Sequence, residues 1–222
     1  MAPAYASHST YYSASTAYRV VLDTPSGTQA GDLLIAILTF RRFNTASFSI
    51  ASGWEKLIDA PAPTFARVAV FYRLAEPAEP TTHAFNCNES SRRACGLIRF
   101  TGVDQDNPIH AYAHSTAEHP ELATTRESLI LRACGNTGNQ AMSYGTGYDH
   151  LWSLRGASDS AQCHAAVASQ LTPGGLIPAL AVGSGVRMSL AIAGDNSPPP
   201  TVRRYDPFRC HAFQSDRIGG GT

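Results

Sequence analysis

The chain has 222 residues and balances 17 basic against 17 acidic side chains, a neutrality that argues against the single-signed field of a nucleic-acid binder or a membrane-surface protein. No stretch approaches the ~18 apolar residues of a membrane-spanning helix, and a chain of this size buries roughly 70% of its unfolded surface, so its core requires no cofactor. The five cysteines Cys87, Cys95, Cys134, Cys163 and Cys210 are odd in number and lack a C-x-x-C pair; they read as free, buried thiols from a reducing cytosol, with a Cys87–Cys95 bridge as the alternative.

The start, Met1-Ala2-Pro3-Ala4-Tyr5, lacks the basic and apolar regions of a secretory signal, so the protein is expected to be made in a cytoplasm. Residues 1–17 are rich in Ala, Ser, Thr and Tyr without periodicity and read as an extended arm, with Tyr11 and Tyr12 as candidate assembly contacts. The first strand is expected over Tyr18–Asp23 and a turn at Pro25-Ser26-Gly27. Asp32–Phe40, nearly all apolar, reads as a central strand buried on both faces. The loop after it, Arg41-Arg42-Phe43-Asn44, is a candidate ligand or partner contact through Arg41 and Arg42. Short strands flank the Gly53-Trp54 corner, and Ala66–Leu74 alternates cleanly, with Val68, Val70, Tyr72 and Leu74 on one face. Glu76-Pro77-Ala78-Glu79-Pro80 breaks the chain before strands at Thr81–Asn86 and Ala94–Phe100.

Further strands are expected at Ile109–Ser115, Ser128–Cys134, Leu151–Leu154, Gln162–Gln170 and Val186–Ile192. Apolar residues nowhere follow a helical spacing for long, so helix is expected to be minor. The fold class predicted is an all-β antiparallel β-sandwich, jelly-roll-like, over residues 18–193. Residues 194–222 form a second arm, because Pro198-Pro199-Pro200 cannot pair within a sheet. Arg203, Arg204, Tyr205, Phe208 and Phe213 make that arm too aromatic for a solvated tail and are its candidate assembly contacts. Lys56 is the only lysine. The arginine bias suits ordered interfaces, and a GC-rich genome accounts for it equally well.

Catalytic and metal chemistry finds no support in the residue pattern. His110, His114, His119 and Cys163-His164 match no zinc spacing, and Gly183-Ser184-Gly185 is not a nucleophile elbow. Asp32, Asp104 and Asp106 sit at strand ends, where aspartate caps backbone amides. The expectation is therefore no enzyme, no metal and no cofactor. Trp54 and Trp152 are candidate sugar-stacking surfaces, the basis of an alternative reading as a carbohydrate-binding module; a hydrolase ranks third.

Ala30-Gly31-Asp32-Leu33-Leu34-Ile35-Ala36, Ser52-Gly53-Trp54, Val70-Phe71-Tyr72-Arg73-Leu74-Ala75-Glu76-Pro77 and Phe100-Thr101-Gly102-Val103-Asp104 with Asn107-Pro108-Ile109 follow one another in that order. In this the chain resembles a β-sandwich module of tailed-bacteriophage virion proteins, including minor tail and head-decoration proteins, over Tyr18–Ala193. The resemblance implies a structural or adhesive role in the virion. Its partners would be other capsid or tail proteins, copies of itself and host-surface glycan, with neither nucleic acid nor membrane insertion involved.

Overall fold

The computed structural model describes residues 1–41, 47–49, 52–62, 66–137, 144–155, 161–181 and 185–195. Among these the chain is all-β and its sheets are antiparallel, as the alternation predicts. In chain order the strands are β1 (Ala4–Asp23), β2 (Leu33–Arg41), β3 (Phe48–Ser49), β4 (Glu55–Ala62), β5 (Ala66–Leu74) and β6 (Thr82–Thr101). There follow β7 (Ile109–Ser115), β8 (Glu118–His119), β9 (Leu122–Thr124), β10 (Ser128–Thr137), β11 (Tyr148–Leu154), β12 (Ala161–Ala168), β13 (Gly175–Ile177), β14 (Leu180–Ala181) and β15 (Val186–Ala193). The first sheet runs β1-β6-β2-β5-β4 with β3 on β6, the second β11-β12-β10-β15-β7; β8 pairs with β14 and β9 with β13. Each large sheet is thus drawn from one continuous half of the chain, whereas jelly-roll connectivity would carry successive strands back and forth between sheets.

The central strand behaves as its composition demands, with Leu33 to Leu38 fully buried. Its inner face, Leu33, Ile35 and Ile37, joins Val68, Val70, Ile98 and Phe100 in a core shared with Leu131, Ala133, Ala165, Val167, Met188 and Leu190 of the second sheet. Its outer face, Leu34, Ala36, Leu38 and Phe40, forms a second core with Phe71, Leu97, Val20, Leu22, Phe48, Trp54 and Phe85.

The outer cover comes from the sheet's own edge. Arg93–Phe100 of β6 pairs with β2, whereas Thr82–Asn86 pairs with Asp23–Arg19 of β1. Phe85 lies on β6, yet its ring centroid is 5.5 Å from that of Phe71 on β5, with β2 standing between those strands in the sheet. The β1–β6 ribbon has therefore turned back over the outer face. Register shifts between Ser13 and Ala17, and between Ala17 and Arg19, mark the bend. Arg93, only 2% exposed, donates there to the carbonyls of Ser15 (3.2 Å) and Arg19, 5.8 Å from the Tyr11 ring.

Two expectations change. The N-terminal segment is not a free arm: β1 begins at Ala4, and Ala4–Ser13 pairs along Thr101–Arg93 of β6. The separate strands expected at Thr81–Asn86 and Ala94–Phe100 are one strand, β6, whose 20 residues serve the main sheet and its folded-back cover in turn.

Glycines set the spacing between the two sheets. A Cβ on Gly96 would overlap the Trp152 indole, and one on Gly135 would overlap Thr39 and Val68 across the interface. Gly96→Ala should cost about 1–3 kcal/mol by urea unfolding. Trp152→Phe in the same chain should recover part of that loss in a double-mutant cycle, because the two side chains compete for one space.

Candidate functional site

The motif residues hold turns in place. Gly31, at φ +85°, lets Asp32 accept hydrogen bonds from the Gln29 amide and from Arg99 Nε, both at 2.7 Å. Gly53, at φ +77°, turns Trp54 inward: its ring packs 5.1 Å from both His83 and Phe85, under the Arg73 guanidinium at 5.9 Å. Arg73 in turn pairs with Glu76 (2.7 Å) and Glu79 (3.5 Å), and Glu79 lies 3.1 Å from His83. Asp104 accepts from the amides of Asp106 (2.9 Å) and Asn107 (3.1 Å) and pairs with Arg126 at 2.7 Å. The Arg126 guanidinium, more than the amides, draws the Asp104 carboxyl below the usual carboxylate range. Asp32 and Asp104 thus act as caps. At the same corner Val103 bridges Gly194, and the Met1 amine donates to the Asp195 carbonyl, so the two ends of the described chain lie side by side.

The candidate ligand contacts do not form a surface. Trp54 is 4% exposed and Trp152 5% exposed; both are wedges in the two cores, which corrects the reading of them as stacking platforms. Arg41 is half-buried at the end of β2, and Arg42 lies outside the described residues. Tyr11 is a strut under the β1 bend, whereas Tyr12 is exposed. Arg203, Arg204, Tyr205, Phe208 and Phe213 lie outside the described residues, as does Cys210. Cys87, Cys95, Cys134 and Cys163 are free and buried, so Cys87 and Cys95 are not bridged.

Cys163 and His164 cannot act together, because successive strand residues face opposite ways. The Cys163 Sγ points into the sandwich, 3.9 Å from the Ile37 carbonyl, and burial pushes its thiol up to about 12. Among the described residues no group of three His, Cys, Asp or Glu side chains gathers to hold a metal.

The chemically unusual place is the outer face of the second sheet. Arg187 stands opposite Cys134, which stands opposite His164; Arg132 stands opposite Ser189. These residues share one face, yet Arg187, His164, Cys134 and Ser189 are fully buried and Arg132 is 4% exposed. The cover is the chain around β8 and β14, with Tyr144. Arg187 Nη1 donates to the Thr116 carbonyl (3.3 Å), the Ser189 hydroxyl to Pro120 (3.0 Å), and Arg132 Nη2 to Pro178 (2.6 Å). His119, also fully buried, sets Nδ1 3.1 Å from the Met188 carbonyl, and its ring is 5.3 Å from Tyr144. Sequence reasoning missed this cluster. Its signal was present in the alternation of Arg132, Cys134 and Asn136 with Leu131, Ala133 and Gly135, but that pattern ordinarily marks a face turned to water.

Burial pushes His119 and His164 down to about 4, with the neighbouring cations Arg132 and Arg187 adding to the fall at His119. The folded protein therefore keeps both rings neutral where the unfolded chain, titrating near 6.5, takes up protons. Stability should be full above pH 6.5 and decline as pH falls towards 4, by on the order of 3 kcal/mol per ring. Urea midpoints at pH 7 and pH 5 measure this, and His164→Gln should reduce the pH-dependent part. No family model, no curated protein and no solved structure matches this chain.

Proposed function

We propose that this chain is a structural component of a tailed-phage particle, a minor tail or capsid-decoration protein that acts in assembly, particle stabilisation or host-surface contact. The observation that carries this reading is the open side of β1. Its 20 residues pair with β6 on one side, and among the described residues no strand pairs with the other. Globular proteins protect such an edge with lysine, proline or charge, because its free N–H and C=O groups template another strand. Between Ala4 and Asp23 there is no lysine or proline, and Arg19 and Asp23 are the only carboxylate or guanidinium groups. Tyr18 is 61% exposed and Val21 41% exposed along the same strand.

The chain supplies a means of covering that edge in a neighbouring copy. Asp195 lies beside Met1, at the beginning of β1, and 27 residues follow it. At about 3.3 Å per residue β1 has a contour of ~66 Å, bent where the ribbon turns back, and a 27-residue segment reaches ~90 Å when extended. Pairing main chain to main chain along a sheet edge gives affinity without an enzyme-like pocket. Partners are then other virion proteins and copies of this chain. Of the residues behind the carbohydrate-module reading, both tryptophans are buried, whereas the tyrosines Tyr12, Tyr18 and Tyr112 are exposed.

A chain ending at Asp195 should keep its unfolding free energy within about 0.5 kcal/mol. It should also lose the self-association that light scattering detects in the full chain, and fail to enter particles. Peptide mass spectrometry of gradient-purified particles from the source lysate should find the full chain in them. Its absence from particles while abundant in the lysate, or normal incorporation of the truncated chain, overturns the proposal.

A further inference from the structure

We infer that the buried polar face of the second sheet is a binding site for a small tetrahedral oxyanion of the hydrogen-phosphate type, held by Arg187, Arg132, Tyr144 and His119. This inference is independent of the particle assignment, since it concerns the purified chain alone.

The argument begins with Arg187. Its side chain is fully buried, its Nη1 is satisfied by Thr116, and among the described residues its Nε and Nη2 have no hydrogen-bond partner. Those two groups form the side of the guanidinium that grips an oxyanion with two parallel hydrogen bonds. Arg132 is a diagonal neighbour on the adjacent strand, about 7 Å away at Cβ, and its Nε is likewise unpartnered. Neither guanidinium pairs with a carboxylate among the described residues. Two guanidinium groups held out of water without a counter-charge are strongly unfavourable, and arginine does not escape by losing its proton. A bound anion resolves that imbalance and fills the free donors at once.

Two further groups complete the set and narrow the ligand. The Tyr144 hydroxyl is buried and, among the described residues, unpartnered, on a ring 5.3 Å from that of His119. His119 faces the Met188 carbonyl with Nδ1, which must therefore carry the proton, so its unpartnered Nε2 is an acceptor. The set is thus four donor groups, on Arg187, Arg132 and Tyr144, and one acceptor, on His119, from four separate parts of the chain. Hydrogen phosphate offers oxygens to the donors and its own O–H to His119, whereas sulfate and acetate at pH 7 have no O–H to donate. Arg187 has no exposed surface, so only a small ion can be admitted, and only as the cover over it moves aside. Access is through the short pairings β8–β14 and β9–β13, two and three residue pairs long, the cover segments most easily opened.

Calorimetric titration of the full chain with sodium phosphate, at pH 7 and constant ionic strength, should show saturable binding at one site. Phosphate should bind at least about tenfold more tightly than sulfate, and acetate should not bind. Tyr144→Phe, which keeps the ring and removes one donor, should weaken phosphate binding about tenfold; Arg187→Lys, which keeps the charge and loses the fork, should weaken it at least as much. If Arg187→Lys fails to fold, Tyr144→Phe decides. The inference is overturned if the intact chain shows no saturable phosphate binding, if sulfate or acetate binds as well as phosphate, or if the folded variants bind phosphate as the parent does.

Discussion

The first sheet is apolar on both faces, and that fact governs the rest of the molecule. A strand such as Leu33–Phe40 cannot show either side to water, since each Leu or Ile left exposed forfeits about 1.5–3 kcal/mol. The second half of the chain covers one side. The other side is covered by the sheet's own edge ribbon, which bends over at Arg93 and brings Val20, Leu22 and Phe85 down onto Phe71. Trp54, with Arg73, Glu79 and His83 around it, seals the remaining end of this second core. The polar contacts of this region follow from the need to close an apolar surface.

Much of this was legible and some was not, for identifiable reasons. Strands β2 and β5 were readable because apolar content and period two report burial directly. The N-terminal half of β1 was not: Ala, Ser, Thr and Tyr without alternation have no face of their own, and the order comes from hydrogen bonding to β6. Splitting β6 into two strands reflected a real bend, seen as weakened alternation near Asn88–Ser91, although pairing with β1 resumes on each side of it. Trp54 and Trp152 stayed candidate stacking surfaces in the sequence because their depth depends on glycines. Gly53 supplies a backbone turn at positive φ, and Gly96 leaves the volume that Trp152 fills across the interface. The polar outer face of β10, β12 and β15 was invisible as a buried cluster because its cover is made by short, irregular segments that carry no periodicity.

The two sheets therefore solve the same problem with opposite materials. The cover of the first is apolar and tolerates small slides between side chains. The cover of the second offers the Thr116, Pro120 and Pro178 carbonyls to Arg187, Ser189 and Arg132 and donates from His119 to the Met188 carbonyl, so a slip of one residue would cost every one of those hydrogen bonds. Such a layer contributes uniqueness of arrangement more than bulk stability.

The division of the chain into two halves, one sheet each, has a consequence for how the protein is made. During synthesis the first sheet has all its strands once Thr101 has left the ribosome, and its inner face then stays bare until Ala193 follows. At 5–20 residues per second those ~90 residues take roughly 5–20 s, a long interval for so apolar a surface to wait in a crowded cell. Yield of the native protein should accordingly be set by what shields the Ile35–Ile37 face during that wait, and slower translation of the second half should favour aggregation over folding.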